Sequence, residues 1–151
     1  MTVGREYPGR PVVGVGGVVI SEGRTLLIRR SGPPLQGEWS IPGGTLETGE
    51  TLRDGVRREL REETGVDVRV GEMIEVFERI FPDAQGRPQY HFVILDFLCE
   101  FEGGVARAAS DVTDVAWSAE DELERFRLTP TALRVIRKGF EMWRASGAAR
   151  V

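Results

Sequence analysis

At 151 residues the chain has the length of one ordinary domain, enough to bury a hydrophobic core without disulfides or a structural metal. A formal charge of -4 and a pI near 5.2 exclude the broadly basic face by which proteins hold DNA, RNA or anionic membranes, so any phosphate recognition must be local. Cys99 is the only cysteine, which rules out an intrachain disulfide and makes a reducing compartment, the cytoplasm, the expectation.

A polar arm over residues 1–10 precedes two apolar runs, residues 12–20 and 25–29, joined by a Glu22-Gly23 turn; the pattern predicts a hairpin that opens a sheet. The first run is too short to span a bilayer and lacks a small-residue cleavage site, so it reads as a buried strand. Residues 31–37, with Gly32-Pro33-Pro34 and Gly37, form a loop. Residues 38–41 are a short extended piece stopped by Pro42, after which Gly43-Gly44 turns the chain. From Thr51 to Thr64 the pattern is helical: Thr51 caps, Asp54 sits where a capping-box acid belongs, and Leu52, Val56 and Leu60 repeat every four residues. Gly65 ends the helix as a left-handed cap.

Residues 66–70 and 73–80 read as two strands and residues 82–86 as a turn. Residues 89–101 form a long strand expected at the centre of the sheet. His91 heads that strand as a structural residue, with Val93, Leu95, Phe97 and Cys99 as its inward set. Gly103-Gly104 opens a loop, residues 112–117 form a short strand, and residues 119–125 a helical turn. Thr129-Pro130 opens a last helix carrying Leu133, Ile136, Phe140 and Trp143 at helical spacing. With no repeat or linker in it, the chain reads as a single domain over residues 1–151, an α/β fold whose mixed sheet is covered on both faces.

The chemistry concentrates between Gly44 and Val66. On a helix, Glu59, Glu62 and Glu63 converge on one side, away from the Leu52-Val56-Leu60 stripe, and Gly55 lies one turn before Glu59 on that column. A glycine inside a helix costs roughly 1 kcal/mol relative to alanine, which points to close approach by a backbone or ligand there. Clustered carboxylates repel, and a hard divalent cation such as Mg²⁺ or Mn²⁺ compensates them while bridging to substrate phosphates. The competing reading is a solvated face, since Arg57, Arg58 and Arg61 interleave with the acids.

Gly44, five residues, Glu50, seven residues, then Arg58-Glu59-Leu60-Arg61-Glu62-Glu63-Thr64-Gly65-Val66 matches every fixed position of the Nudix box, with Leu60 and Val66 at its aliphatic positions. Trp39-Ser40-Ile41-Pro42-Gly43 is similar to the lead-in of that family. The resemblance implies a Nudix fold, an α/β/α sandwich with a mixed central sheet and the metal site on the loop and helix of the box. It implies Glu59 and Glu63 as principal metal ligands, Glu62 completing the cluster, and the Gly43 carbonyl as a further ligand. Arg58 would orient the glutamates and Glu50 support them. The general base is either a box glutamate such as Glu59 or an acid on the loop after the long strand, Asp111 or Asp114, with Asp111 preferred. Arg30, at the end of the second strand, is the expected phosphate-binding arginine.

The resemblance also implies hydrolysis of a nucleoside diphosphate joined to another group, a small molecule and not a nucleic acid polymer, with no membrane involved. Pro82, sixteen residues beyond Val66, matches a spacing associated with ADP-ribose pyrophosphatases, which release AMP and ribose 5-phosphate. Trp39 offers a ring that stacks on a base, against its competing role in core packing. The alternatives are a MutT-type nucleoside triphosphate pyrophosphohydrolase and, more remotely, a silent module that senses nucleotides. A homodimer is the expected assembly, with residues 1–10 a flexible or dimer-contacting arm.

Overall fold

Glu22 and Gly23 both adopt positive φ, 51° and 75°, the twist that a tight hairpin demands, and they join strand β1 (Val12–Ser21) to the antiparallel β2 (Arg24–Arg30). The structure, a computed structural model, describes residues 5–147. Beyond the hairpin come β3 (Trp39–Ser40), β4 (Gly43–Thr45), helix α1 (Leu52–Thr64), β5 (Asp67–Pro82), β6 (Pro88–Gly103) and β7 (Val112–Ala119). A 3₁₀ helix (Glu120–Phe126) and helix α2 (Pro130–Ala145) follow. Among the described residues the strands form one mixed sheet in the order β3-β2-β1-β6-β5, with β4 antiparallel to β1 and β7 antiparallel to β2. β6 lies inside the sheet, parallel to β1, as expected for the long strand.

Alternation along β1 distributes its side chains to two layers. Val15 and Val19 pack with Val56 and Leu60 of α1, whereas Val18 and Ile20 pack with Val135, Ile136 and Phe140 of α2. Both helices are capped as their sequences dictate: the Thr51 and Thr129 hydroxyls accept from the amides of Asp54 and Ala132, and Gly65 closes α1 at φ 73°. The capping box is only half formed, because the Asp54 carboxylate is taken by Arg57.

Two sequence expectations are corrected. Residues 66–70 and 73–80 are one strand, since register shifts between Val70 and Glu75 absorb Gly71-Glu72 as a bulge without ending the pairing with β6. Gly43-Gly44 is strand β4, not a turn. It lies so close against β1 that a Cβ on Gly43 would stand 2.2 Å from the Val15 carbonyl oxygen.

Part of the N-terminal arm packs on its own chain. The Tyr7 amide donates to the Gln89 carbonyl, its hydroxyl to Asp83, and the Arg5 guanidinium lies 5.1 Å from the centre of the Phe92 ring. Residues 1–4 fall outside the described residues. No described helix is long and apolar enough to cross a membrane.

Candidate active site

The apolar stripe of α1 fixes which way its acids point. With Val56 and Leu60 fully buried against the sheet, Glu59 and Glu63 are turned toward β4 and Glu62 toward solvent. The Gly43 amide donates to Glu63 Oε1 at 2.9 Å. Glu59 lies against Gly44, where a Cβ would stand 2.3 Å from Glu59 Oε2, so a side chain at residue 44 would displace the Glu59 carboxyl. Gly55 serves the same helix differently. What comes close to it is the Leu46 and Glu50 side chains, which a Cβ would meet at 2.7 and 3.1 Å, and not a neighbouring backbone.

Arg58 holds the acids in place. Its Nε and Nη2 donate to both oxygens of Glu50 at 2.6 and 2.8 Å, Nη2 also to the Thr45 carbonyl, and Nη1 to Glu59 at 2.9 Å and Glu62 at 3.2 Å. A planar fork with five donors suits this work, and a lysine could not copy it. The Arg58 hydrogen bond holds the Glu50 carboxyl below the usual range, and the Glu50 partnership in turn raises the Arg58 value. Glu63 is only 6% exposed, and burial pushes its carboxyl up to about 8; Glu59 beside it is also raised by burial. These two acids sit in low dielectric with too little positive charge to balance them.

A cavity of about 390 Å³ opens onto this face of α1, within the range of small-molecule sites. Glu47, Arg58, Glu59, Glu62 and Glu63 line one end together with Gly43, Gly44, Arg30 and Asp111. The β2–β7 ladder shifts register between Arg29 and Arg30; Arg29 stays exposed and donates to the Gly37 carbonyl, while Arg30 enters the cavity wall. Arg30 Nε is buried with no hydrogen-bond partner among the described residues. Burial lowers the Arg30 value, the Glu63 carboxylate opposing it. Asp111 is placed by the C-terminus of α1, whose last carbonyls Glu63 and Thr64 accept from the Ala109 and Arg107 amides of its loop. Asp114 binds its neighbour's amide and does not line the cavity.

Two residues expected at the substrate do not line this cavity. The Trp39 ring packs edge-on against Phe126 at 5.1 Å, and Pro82 is exposed at the end of β5. The far end is instead built from Phe77, Arg79 and Phe81 of β5 and Phe92, Ile94 and Asp96 of β6, which sequence reasoning did not single out. Only Asp96 carried a signal, as an acid inside an apolar run.

Residues 10–139 match the model of the NUDIX domain. The chain belongs to the Nudix family. A MutT-like protein of Streptomyces ambofaciens is 40% identical over 125 residues, 82% of this chain and 74% of that protein. An ADP-ribose pyrophosphatase of Methanocaldococcus jannaschii is 34% identical over 104 residues, 69% of this chain and 59% of that enzyme. A solved MutT Nudix hydrolase of Burkholderia pseudomallei superposes with a TM-score of 0.73 at 30% identity, over 85% of this chain and 98% of that one. The α/β architecture is therefore the Nudix fold, and the chain is a Nudix pyrophosphohydrolase whose box residues form the acidic end of the cavity.

Proposed function

We propose that this Nudix hydrolase cleaves the diphosphate of ADP-ribose to give AMP and ribose 5-phosphate, with Mg²⁺ or Mn²⁺ held by Glu59, Glu62 and Glu63. The observation that carries the reading is the two-ended cavity, with carboxylates and Arg30 at one end and Phe77, Phe81 and Phe92 at the other. That arrangement suits a molecule with a charged diphosphate and a flat aromatic base. The ADP-ribose pyrophosphatase among the relatives supports this choice over other linked groups. Pro82, outside the cavity, does not contribute to it.

The acids fit a hard cation by donor type and by charge, since buried Glu59 and Glu63 lack a full counterion. Among the described residues no group of three or more such side chains is gathered closely enough to hold an ion unaided. The site therefore suits a metal that completes its shell with water, substrate oxygens and a carbonyl such as that of Gly43. When bound, the ion neutralises the diphosphate and acidifies an attacking water. Arg58 keeps Glu59 and Glu62 oriented, Arg30 offers an unpaired donor to a phosphate oxygen, and Asp111 accepts the proton of the water.

The second reading, a MutT-type enzyme acting on nucleoside triphosphates, is favoured by the MutT-like relative. A turnover panel of ADP-ribose, canonical and 8-oxo nucleoside triphosphates, NADH and diadenosine polyphosphates, with Mg²⁺ and with chelator, separates the two. Preferential release of AMP from ADP-ribose is expected; preference for triphosphates moves the enzyme to the second reading. Glu63→Gln should abolish most turnover without unfolding the chain, and near-normal rates at saturating Mg²⁺ would remove Glu63 from the ligand set. Work in the cytoplasm and a homodimer belong to the same proposal. Exposed Met73, Val76 and Ile80 on the edge strand β5 are apolar surface of the kind a second copy covers. Sedimentation as a monomer alone at micromolar concentration would exclude the dimer.

A further inference from the structure

Asp96 is an acid that the cleavage reaction leaves unused. It stands among Phe92, Ile94, Phe97 and Leu98 on β6, is 3% exposed, and yet lines the cavity. Arg30 is felt as a nearby charge, but among the described residues no hydrogen bond or ion pair reaches the Asp96 carboxyl. Its oxygens face the cavity and are not sealed in the core, so a carboxyl there without a protein partner is left to solvent or a ligand to satisfy.

The room beside it is built by glycine. A Cβ on Gly16 would stand 2.4 Å from Asp96 Oδ1, and Gly14, one step along the same face of β1, lies beside Ile94. Gly16 thus gives the Asp96 carboxyl the space it occupies, and Gly14, Ile94 and Phe92 line the cavity beside it, where a flat ring or a sugar can lie. Gly16 pairs with Asp96 on one side and with Gly43 on the other. At about 4.8 Å between strands, this puts Asp96 roughly 10 Å across the sheet from the Gly43 amide that holds Glu63. Arg30 is coupled electrostatically to both Glu63 and Asp96 and lines the same cavity, so its charge is near the acidic end and near this second acid. A phosphate held at the acidic end and at Arg30 leaves its nucleoside within reach of Asp96.

We propose that Asp96 is a specificity-determining residue, whose carboxyl hydrogen-bonds an N–H or O–H of the substrate's base or ribose lying beside it over Gly14. This rests on the reading that the cavity takes a nucleoside diphosphate derivative. Burial pushes the carboxyl up to about 7, so near neutral pH the group is available both as donor and as acceptor.

Calorimetric binding of AMP, GMP, CMP, UMP and ribose 5-phosphate, without metal, to the wild type, Asp96→Asn and Asp96→Ala tests the assignment. Inorganic pyrophosphate with Mg²⁺ serves as the reference ligand. Asp96→Ala should weaken the tightest nucleotide by about tenfold or more and leave pyrophosphate affinity unchanged. Asp96→Asn, which keeps the shape, should alter the ranking of the four nucleotides. A matching loss for ribose 5-phosphate assigns the contact to the sugar; a loss confined to the nucleotide assigns it to the base. In turnover, KM should rise while kcat stays within about twofold. Unchanged nucleotide affinity in both variants, or an equal loss for nucleotide and pyrophosphate, overturns the assignment. Failure of the wild type to bind any of the four nucleotides would instead bring down the functional reading, and this inference with it.

Discussion

Asp96 and Glu63 are carboxyls whose charged forms burial disfavours, and only Glu63 has a protein hydrogen bond to offset that, from the Gly43 amide. For Asp96 the consequence is a measurable pH dependence. Its folded value of about 7 lies above the value near 3.9 expected when unfolded, so the native chain binds this proton more tightly than the unfolded chain does. Its contribution to stability is therefore fully present below about pH 4, is lost as pH rises through about 7, and then levels off. Asparagine in its place does not titrate. Urea unfolding of Asp96→Asn and wild type should thus show a difference that shifts in favour of the variant between pH 4 and pH 8, by on the order of 2–4 kcal/mol. A difference that stays constant with pH would mean that solvent or Arg30 relieves the charge in the native state. The same acid was almost hidden in the sequence. An aspartate in a strand announces a polar group inside the sheet, but which cavity it faces depends on Gly16 of β1, eighty residues earlier in the chain.

Helix α1 was legible because its signals are local: the Thr51 cap, the four-residue apolar stripe and the left-handed Gly65 all lie within one stretch. What places its acids is tertiary and was harder to read. Gly44→Ala tests that placement, because the new Cβ would collide with Glu59 Oε2 at 2.3 Å while leaving cap and stripe intact. Turnover should fall on the order of 100-fold, the effect of a misplaced catalytic group, with the far-ultraviolet dichroism unchanged. Full activity would mean that Glu59 acts from another position. Thr129→Ala removes the corresponding cap of α2 and should cost about 1 kcal/mol in denaturant unfolding. Because Thr129 and Thr131 also line the cavity, a loss of turnover larger than this loss of stability explains would mark the start of α2 as part of the substrate site. Elements whose boundaries depend on pairing were misread for one reason. Gly71-Glu72 and Gly43-Gly44 carry turn chemistry in sequence but sit in ladders with β6 and β1, where strand partners decide. The aromatic end of the cavity follows the same rule, since Phe77 and Phe92 share a face only through the pairing of β5 with β6.

At the scale of the whole molecule, one end of the cavity gathers the acids Glu47, Glu59, Glu62, Glu63 and Asp111 against Arg30 and Arg58. Arg58 already serves Glu50, Glu59 and Glu62, so the buried Glu63 has the Gly43 amide and the coulombic pull of Arg30 for relief. Burial therefore holds Glu63 mostly protonated in the metal-free native chain near neutral pH, at a cost that a divalent cation offsets and that unfolding also removes. A ligand at 100 times its Kd stabilises by about 2.7 kcal/mol, and each 1 kcal/mol moves the Tm of a chain this long by roughly 2–4 °C. Saturating Mg²⁺ should accordingly raise the Tm by about 5–10 °C. Glu63→Gln should start from a higher metal-free Tm than the wild type and gain much less from Mg²⁺, because the buried ionisable carboxyl that the metal would bind is gone. Glu141→Gln, a change of the same net charge on the exposed side of α2, should leave the Mg²⁺ response as it is in the wild type. If the Glu141 variant loses the response as fully as the Glu63 variant, the ion acts through overall charge and not through the box. If all three proteins melt at the same temperature with and without Mg²⁺, the box acids do not hold the metal in the absence of substrate, and the diphosphate must supply the missing ligands.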